Sequence, residues 1–84
     1  MYVQVHQTTS TGQALLFEVE LIKGKLVVTK GDKVAAKGLL GFPIRSVTGK
    51  MYDAVKDPSG FLKHMCEEYS GSHMRATKPL ERGV

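Results

Sequence analysis

Leu15-Leu16-Phe17-Glu18-Val19-Glu20-Leu21-Ile22-Lys23-Gly24-Lys25-Leu26-Val27-Val28-Thr29 is the stretch that decides the fold. In its first half Leu15, Phe17, Val19 and Leu21 point one way and Leu16, Glu18 and Glu20 the other, the period of two that a half-buried strand requires. Lys23-Gly24 then interrupts the pattern. Glycine adopts positive φ without steric cost, so a tight hairpin fits between Ile22 and Lys25, and Lys25 to Thr29 returns as a second strand.

Upstream, Val3 and Val5 alternate with Gln4 and His6, which predicts a further strand over Tyr2 to Gln7. Thr8 to Gly12 is a polar turn cluster. The first three strands therefore read as an antiparallel meander.

Downstream, Asp32 can cap a short helix over Lys33 to Leu40, with Ala35, Ala36, Leu39 and Leu40 on its apolar side and Gly41 ending it. A rival reading makes Val34 to Ala36 a fourth strand. Phe42-Pro43 restarts an extended chain, because the residue before proline avoids the α region. Ile44 to Val47 reads as a strand, Thr48-Gly49 as a turn, and Lys50 to Val55 as a short return strand. Asp57-Pro58 opens the second helix: the carboxylate accepts from free N–H groups, and proline at the first position needs none. Phe61, Leu62, Met65 and Tyr69 make the core-facing stripe of a helix running from Pro58 to about Tyr69. His73 to Thr77 reads as the last strand.

The expected class is α+β: a small antiparallel or mixed sheet with two short helices in the order β-β-β-α-β-β-α-β. Residues 1–77 form a single domain in this reading, and 78–84 a flexible C-terminal tail. The chain has 84 residues, of which 42% are hydrophobic and 24% charged, values of one globular domain and not of a disordered chain. Such a chain buries only about 60–65% of its unfolded surface, so its core is thin.

A lone cysteine, Cys66, cannot form an internal disulfide, which excludes a disulfide-stapled secreted scaffold. The N-terminal residues carry neither the basic flank nor the apolar run of a signal peptide. The expected compartment is cytoplasmic, with no membrane partner.

The net charge of +4 is unevenly spread. Residues 1–22 hold only Glu18 and Glu20, and residues 51–84 balance. The middle of the chain holds Lys23, Lys25, Lys30, Lys33, Lys37, Arg45 and Lys50 against Asp32 alone. This basic block is read first as a solvated surface and second as an anion or nucleic-acid contact. The nucleic-acid reading lacks interleaved aromatics, since Phe17, Phe42 and Phe61 stand at core-like positions.

Four catalytic or ligand-binding chemistries fail on spacing. His64 and Cys66 lie two apart on a helix, roughly 200° around its axis, and cannot pair as base and nucleophile. His6, His64, Cys66 and His73 show no CxxC or HxxxH spacing, so no metal is expected. Thr48-Gly49-Lys50 is not a phosphate loop, because Ile44 stands where its first glycine belongs and Met51 where Ser or Thr belongs. Asp57 is accounted for as a helix cap, and Glu67 and Glu68 as a wet helix face, leaving no acid–base pair. The chain is accordingly expected to be no enzyme, to hold no cofactor, and to contact another protein through a sheet edge or the Phe42-Pro43 region. Weak, non-specific nucleic-acid binding through residues 23–50 is the alternative.

Overall fold

The computed structural model describes residues 1–82. Its elements are β1 (Tyr2–Thr9), β2 (Gly12–Ile22), β3 (Lys25–Gly31), α1 (Lys33–Leu40), β4 (Ile44–Arg45), β5 (Met51–Tyr52), α2 (Pro58–Glu68) and β6 (Met74–Ala76). The order and the α+β class are those expected from the sequence. The main sheet is antiparallel throughout, with strand order β3-β2-β1-β6, and β4 and β5 form a separate two-stranded ladder.

The β2–β3 hairpin closes through Lys23 at φ 51 and Gly24 at φ 76. Both central residues lie in the left-handed region, as in the type I′ turn that matches strand twist. Register then follows the alternation. Val3 faces Val19, Val5 faces Phe17, and Val19 faces Val28. Val3, Val5, Phe17 and Val19 are fully buried on one face, where Ala36 of α1 and Phe61, Leu62 and Met65 of α2 cover them. Removing such side chains from water is worth roughly 1.5–3 kcal/mol each.

Both helices begin where their caps predict. Asp32 accepts from the N–H groups of Val34 and Ala35, each at 3.0 Å, so residues 33–40 are helical and the rival strand is overturned. Gly31 makes the approach to this cap possible. Its φ is 86, and a Cβ there would collide with the Leu16–Phe17 backbone, whose Leu16 carbonyl accepts from Asp32 N–H at 2.8 Å. Asp57 caps α2 through Gly60 N–H at 3.0 Å, with Pro58 in the first turn.

Several boundaries and faces differ from the expectation. A bulge in β2 leaves Leu16 without a partner between the pairs His6–Leu15 and Val5–Phe17. The extra residue flips the alternation. Leu15, expected in the core, is 37% exposed, while Leu16 packs against the core. The strand expected over 44–47 ends at Arg45, because the Ser46 N–H bonds Lys50 O and its hydroxyl meets that of Thr48. The strand expected over 50–55 ends at Tyr52. The Asp53 carboxylate draws in the N–H groups of Val55 and Lys56 and turns the chain.

Residues 77–82, most of them assigned to the flexible tail, lie along β1. Tyr2 and Leu80 exchange both backbone hydrogen bonds at 2.8 Å, and Thr77 N–H bonds Gln4 O at 2.8 Å. Among the described residues no helix is long and apolar enough to cross a membrane.

Candidate functional site

The hairpin turn, α1 and the turn after β5 together enclose an open groove of about 770 Å³ beside β3. Leu26 and Val28 of β3, Leu40 of α1, and Ala54 and Val55 give it an apolar lining. Lys33 and Lys37 also line it, and Lys25 borders it at the start of β3 with its side chain alternating to the opposite face. The strand places Leu26 and Val28 on its helix-facing side by their period of two. Lys33 and Lys37 come together because residues four apart share one side of a helix. Val55 is 89% exposed, an apolar side chain held in water by the Asp53 turn.

The structure thus brings two of the seven basic residues singled out from the sequence, Lys33 and Lys37, together at the groove and separates the rest. Lys23 sits at the tip of the hairpin and Lys30 near the end of β3. Arg45 is on β4, and the Lys50 ammonium lies 5.1 Å from the centre of the Tyr52 ring. All seven are exposed, and among the described residues none is paired with a carboxylate. Phe42 and Pro43 are both exposed and follow Gly41, which lines the groove. Phe42 is 72% exposed, which corrects its expected core position: α1 stops at Leu40, so the ring stands beyond the helix's buried side.

A second polar arrangement occupies the sheet face away from the helices. Glu18 was expected to face solvent, yet its residue is fully buried. Gln4 Nε2 donates to its Oε1 at 2.9 Å, and the Thr29 hydroxyl and Arg82 Nη2 donate to its Oε2 at 2.5 and 2.8 Å. Thr29 is the unpaired residue of a β3 bulge, which aims its hydroxyl at the carboxylate. Burial pulls the Glu18 pKa up. The Thr29, Gln4 and Arg82 hydrogen bonds and the Arg82 charge outweigh it and lower the pKa from 4.5 to about 2. Arg82 also bonds Glu20 at 3.0 Å and lies 4.0 Å from the centre of the Tyr2 ring. The hydrogen bonds to Glu18 and Glu20 raise its own pKa further. Every buried side-chain polar atom in the described residues has a partner, so this cluster is satisfied within the fold.

The histidines are dispersed. His6 bonds Gln4 on the sheet face away from the helices. His64 stacks on Tyr52 at 4.2 Å between ring centres and bonds Gly60 O through Nδ1 at 2.9 Å. His73 is exposed in the turn before β6. Cys66 donates to Lys63 O at 3.5 Å. Among the described residues no three His, Cys, Asp or Glu side chains gather in a metal-binding arrangement. The Asp53 pKa is lowered by the N–H groups of Val55 and Lys56, and burial raises that of Tyr69, assisted by Glu68.

Sequence reasoning missed the apolar half of the groove. Leu26 and Val28 read simply as strand residues, and nothing near Ala54 and Val55 in the sequence indicates that they return beside β3. Comparison with known proteins adds no assignment: no family model, no curated protein and no solved structure matches the chain.

Proposed function

We propose that the chain is a small non-enzymatic interaction module that docks a segment of another protein in the groove between β3 and α1. One observation carries this reading: an apolar groove of about 770 Å³ is flanked by two lysines of α1, Lys33 and Lys37, that have no carboxylate partner among the described residues. Apolar lining with a few placed charges is the usual composition of a recognition groove. Phe42 and Pro43, exposed just beyond Gly41, extend the contact surface. The competing occupant of the basic block is nucleic acid. It is less favoured because Tyr52, the ring beside Lys50, is stacked on His64, and residues 23–50 themselves present one exposed ring, Phe42.

A random-peptide display library panned against the protein and against Lys33→Glu/Lys37→Glu tests the reading. Enrichment of a shared motif on the first and its loss on the second is the expected result. No enriched motif, or the same motif on both proteins, sinks it. A labelled single-stranded oligonucleotide titrated at two salt concentrations serves as the rival arm. Salt-sensitive binding that the same two substitutions remove would reassign the groove to nucleic acid.

A further inference from the structure

β3 is the outer strand of the sheet, and among the described residues no backbone group bonds to its free side. The hairpin fixes which of its peptide groups are free. A two-residue type I′ loop makes its flanking pair, Ile22–Lys25, a hydrogen-bonded pair. Pairs then alternate, so Val27 bonds Glu20, while Leu26 and Val28 stand opposite Leu21 and Val19 without bonding them. The N–H and C=O groups of Leu26 and Val28 therefore point outward. These are the same two β3 residues whose side chains enter the apolar lining of the groove.

We infer that the groove takes its partner as an added strand: an extended segment of alternating apolar and acidic residues that pairs with Leu26 and Val28. This rests on the docking reading and specifies its ligand. Apolar side chains of such a segment would lie on the helix side, over Leu26, Val28 and Leu40, with Lys33 and Lys37 alongside. Its alternate side chains would lie on the opposite face, beside Lys25 and Lys30, where carboxylates complement the charge. A second copy of this chain is the wrong occupant. Pairing β3 with β3 would crowd Lys25 and Lys30 of both copies on one face, and lysines on an edge strand oppose that association.

The probe is a capped seven-residue peptide of alternating valine and glutamate, titrated into the full chain and followed by amide NMR and hydrogen exchange. Two further versions carry N-methyl groups on all valine or on all glutamate nitrogens. In an extended strand these two sets project from opposite edges. Binding should slow exchange at the Leu26 and Val28 amides. Methylating one set should weaken binding at least about tenfold, and methylating the other should leave it nearly unchanged. A valine–lysine counterpart should not bind.

Binding that tolerates both methylated sets overturns strand addition and leaves the docking reading standing. Equal binding of the lysine counterpart overturns the acidic assignment. Failure of the valine–glutamate peptide at low salt overturns the inference as a whole. The display selection judges docking separately. Self-association of the protein with protection of the Leu26 and Val28 amides would assign the edge to a second copy instead.

Discussion

The two long sides of the sheet treat their cations differently. Alongside β1 the chain closes its own flank: β6 and then residues 77–80 bond to β1, and Arg82 folds onto Glu18, Glu20 and Tyr2. On the β3 side the edge is unpaired, and Lys33 and Lys37 stand beside apolar side chains with no carboxylate partner among the described residues. A cation that finds two carboxylates and a ring within its own chain has its interaction needs met by the fold. Cations held next to an apolar groove and an open edge have theirs unmet. That contrast puts stability on the β1 side and supports the proposal of recognition on the β3 side.

Removing Glu18 should break the closed side most severely. Glu18→Ala leaves the Gln4 amide and the Thr29 hydroxyl without their carboxylate, frees Arg82, and opens a cavity between strands. The expected loss is roughly 3 kcal/mol, read from urea unfolding. A loss below about 1 kcal/mol would mean that the tail and not the carboxylate holds this side together.

A proline pair sharpens the account of the open side. Val27→Pro removes a ladder N–H bonded to Glu20, whereas Val28→Pro removes one that points outward. Val27→Pro should cost roughly 2 kcal/mol more than Val28→Pro in the same unfolding assay. Equal costs would show that the outer edge is not free as assigned.

Acid should act on the closed side first. The folded Glu18 pKa is lowered from 4.5 to about 2, so its contribution to stability is fully present above 4.5 and is lost as pH falls from 4.5 towards 2. The size is about 1–2 kcal/mol after discounting for the solvent that reaches the 44% exposed Arg82 side chain. Comparing unfolding of the wild type and Glu18→Gln between pH 6 and pH 2 isolates it: the two stabilities should converge as the pH falls. A gap that stays constant across that range would remove Glu18 as the titrating group.

How much of this is legible in the sequence depends on the range of the interaction that decides each feature. Asp32 and Asp57 cap within three residues, and Lys23-Gly24 turns within two, so both helices and the central hairpin can be read locally. The β2 bulge depends on how β1 pairs across the hairpin, and a period of two along one strand carries no trace of Leu16 being extra. Glu18 and Arg82 are 64 residues apart, so the carboxylate reads as solvent-facing until the end of the chain is laid over it. The basic block is plain as a count of charges. Its division into two groove lysines and five scattered cations depends on where α1 and the 53–56 turn pack against β3, which is set by tertiary contacts alone.

The smallest stability effect is expected at the lysines, and it is the sharpest test of the contrast between the two sides. Lys33→Ala and Lys37→Ala remove exposed, unpaired charges from one side of α1 and put in their place a better helix former. Each should change unfolding free energy by under about 0.5 kcal/mol in either direction. The double variant should nonetheless lose most of its affinity for the valine–glutamate peptide, and the remaining affinity should depend less on salt than that of the wild type. Arg82→Ala should do the reverse, lowering the urea midpoint of unfolding and leaving peptide affinity unchanged. If the lysine substitutions destabilise the fold as much as Arg82→Ala does, the lysines are structural and the distinction between a closed and an open side fails.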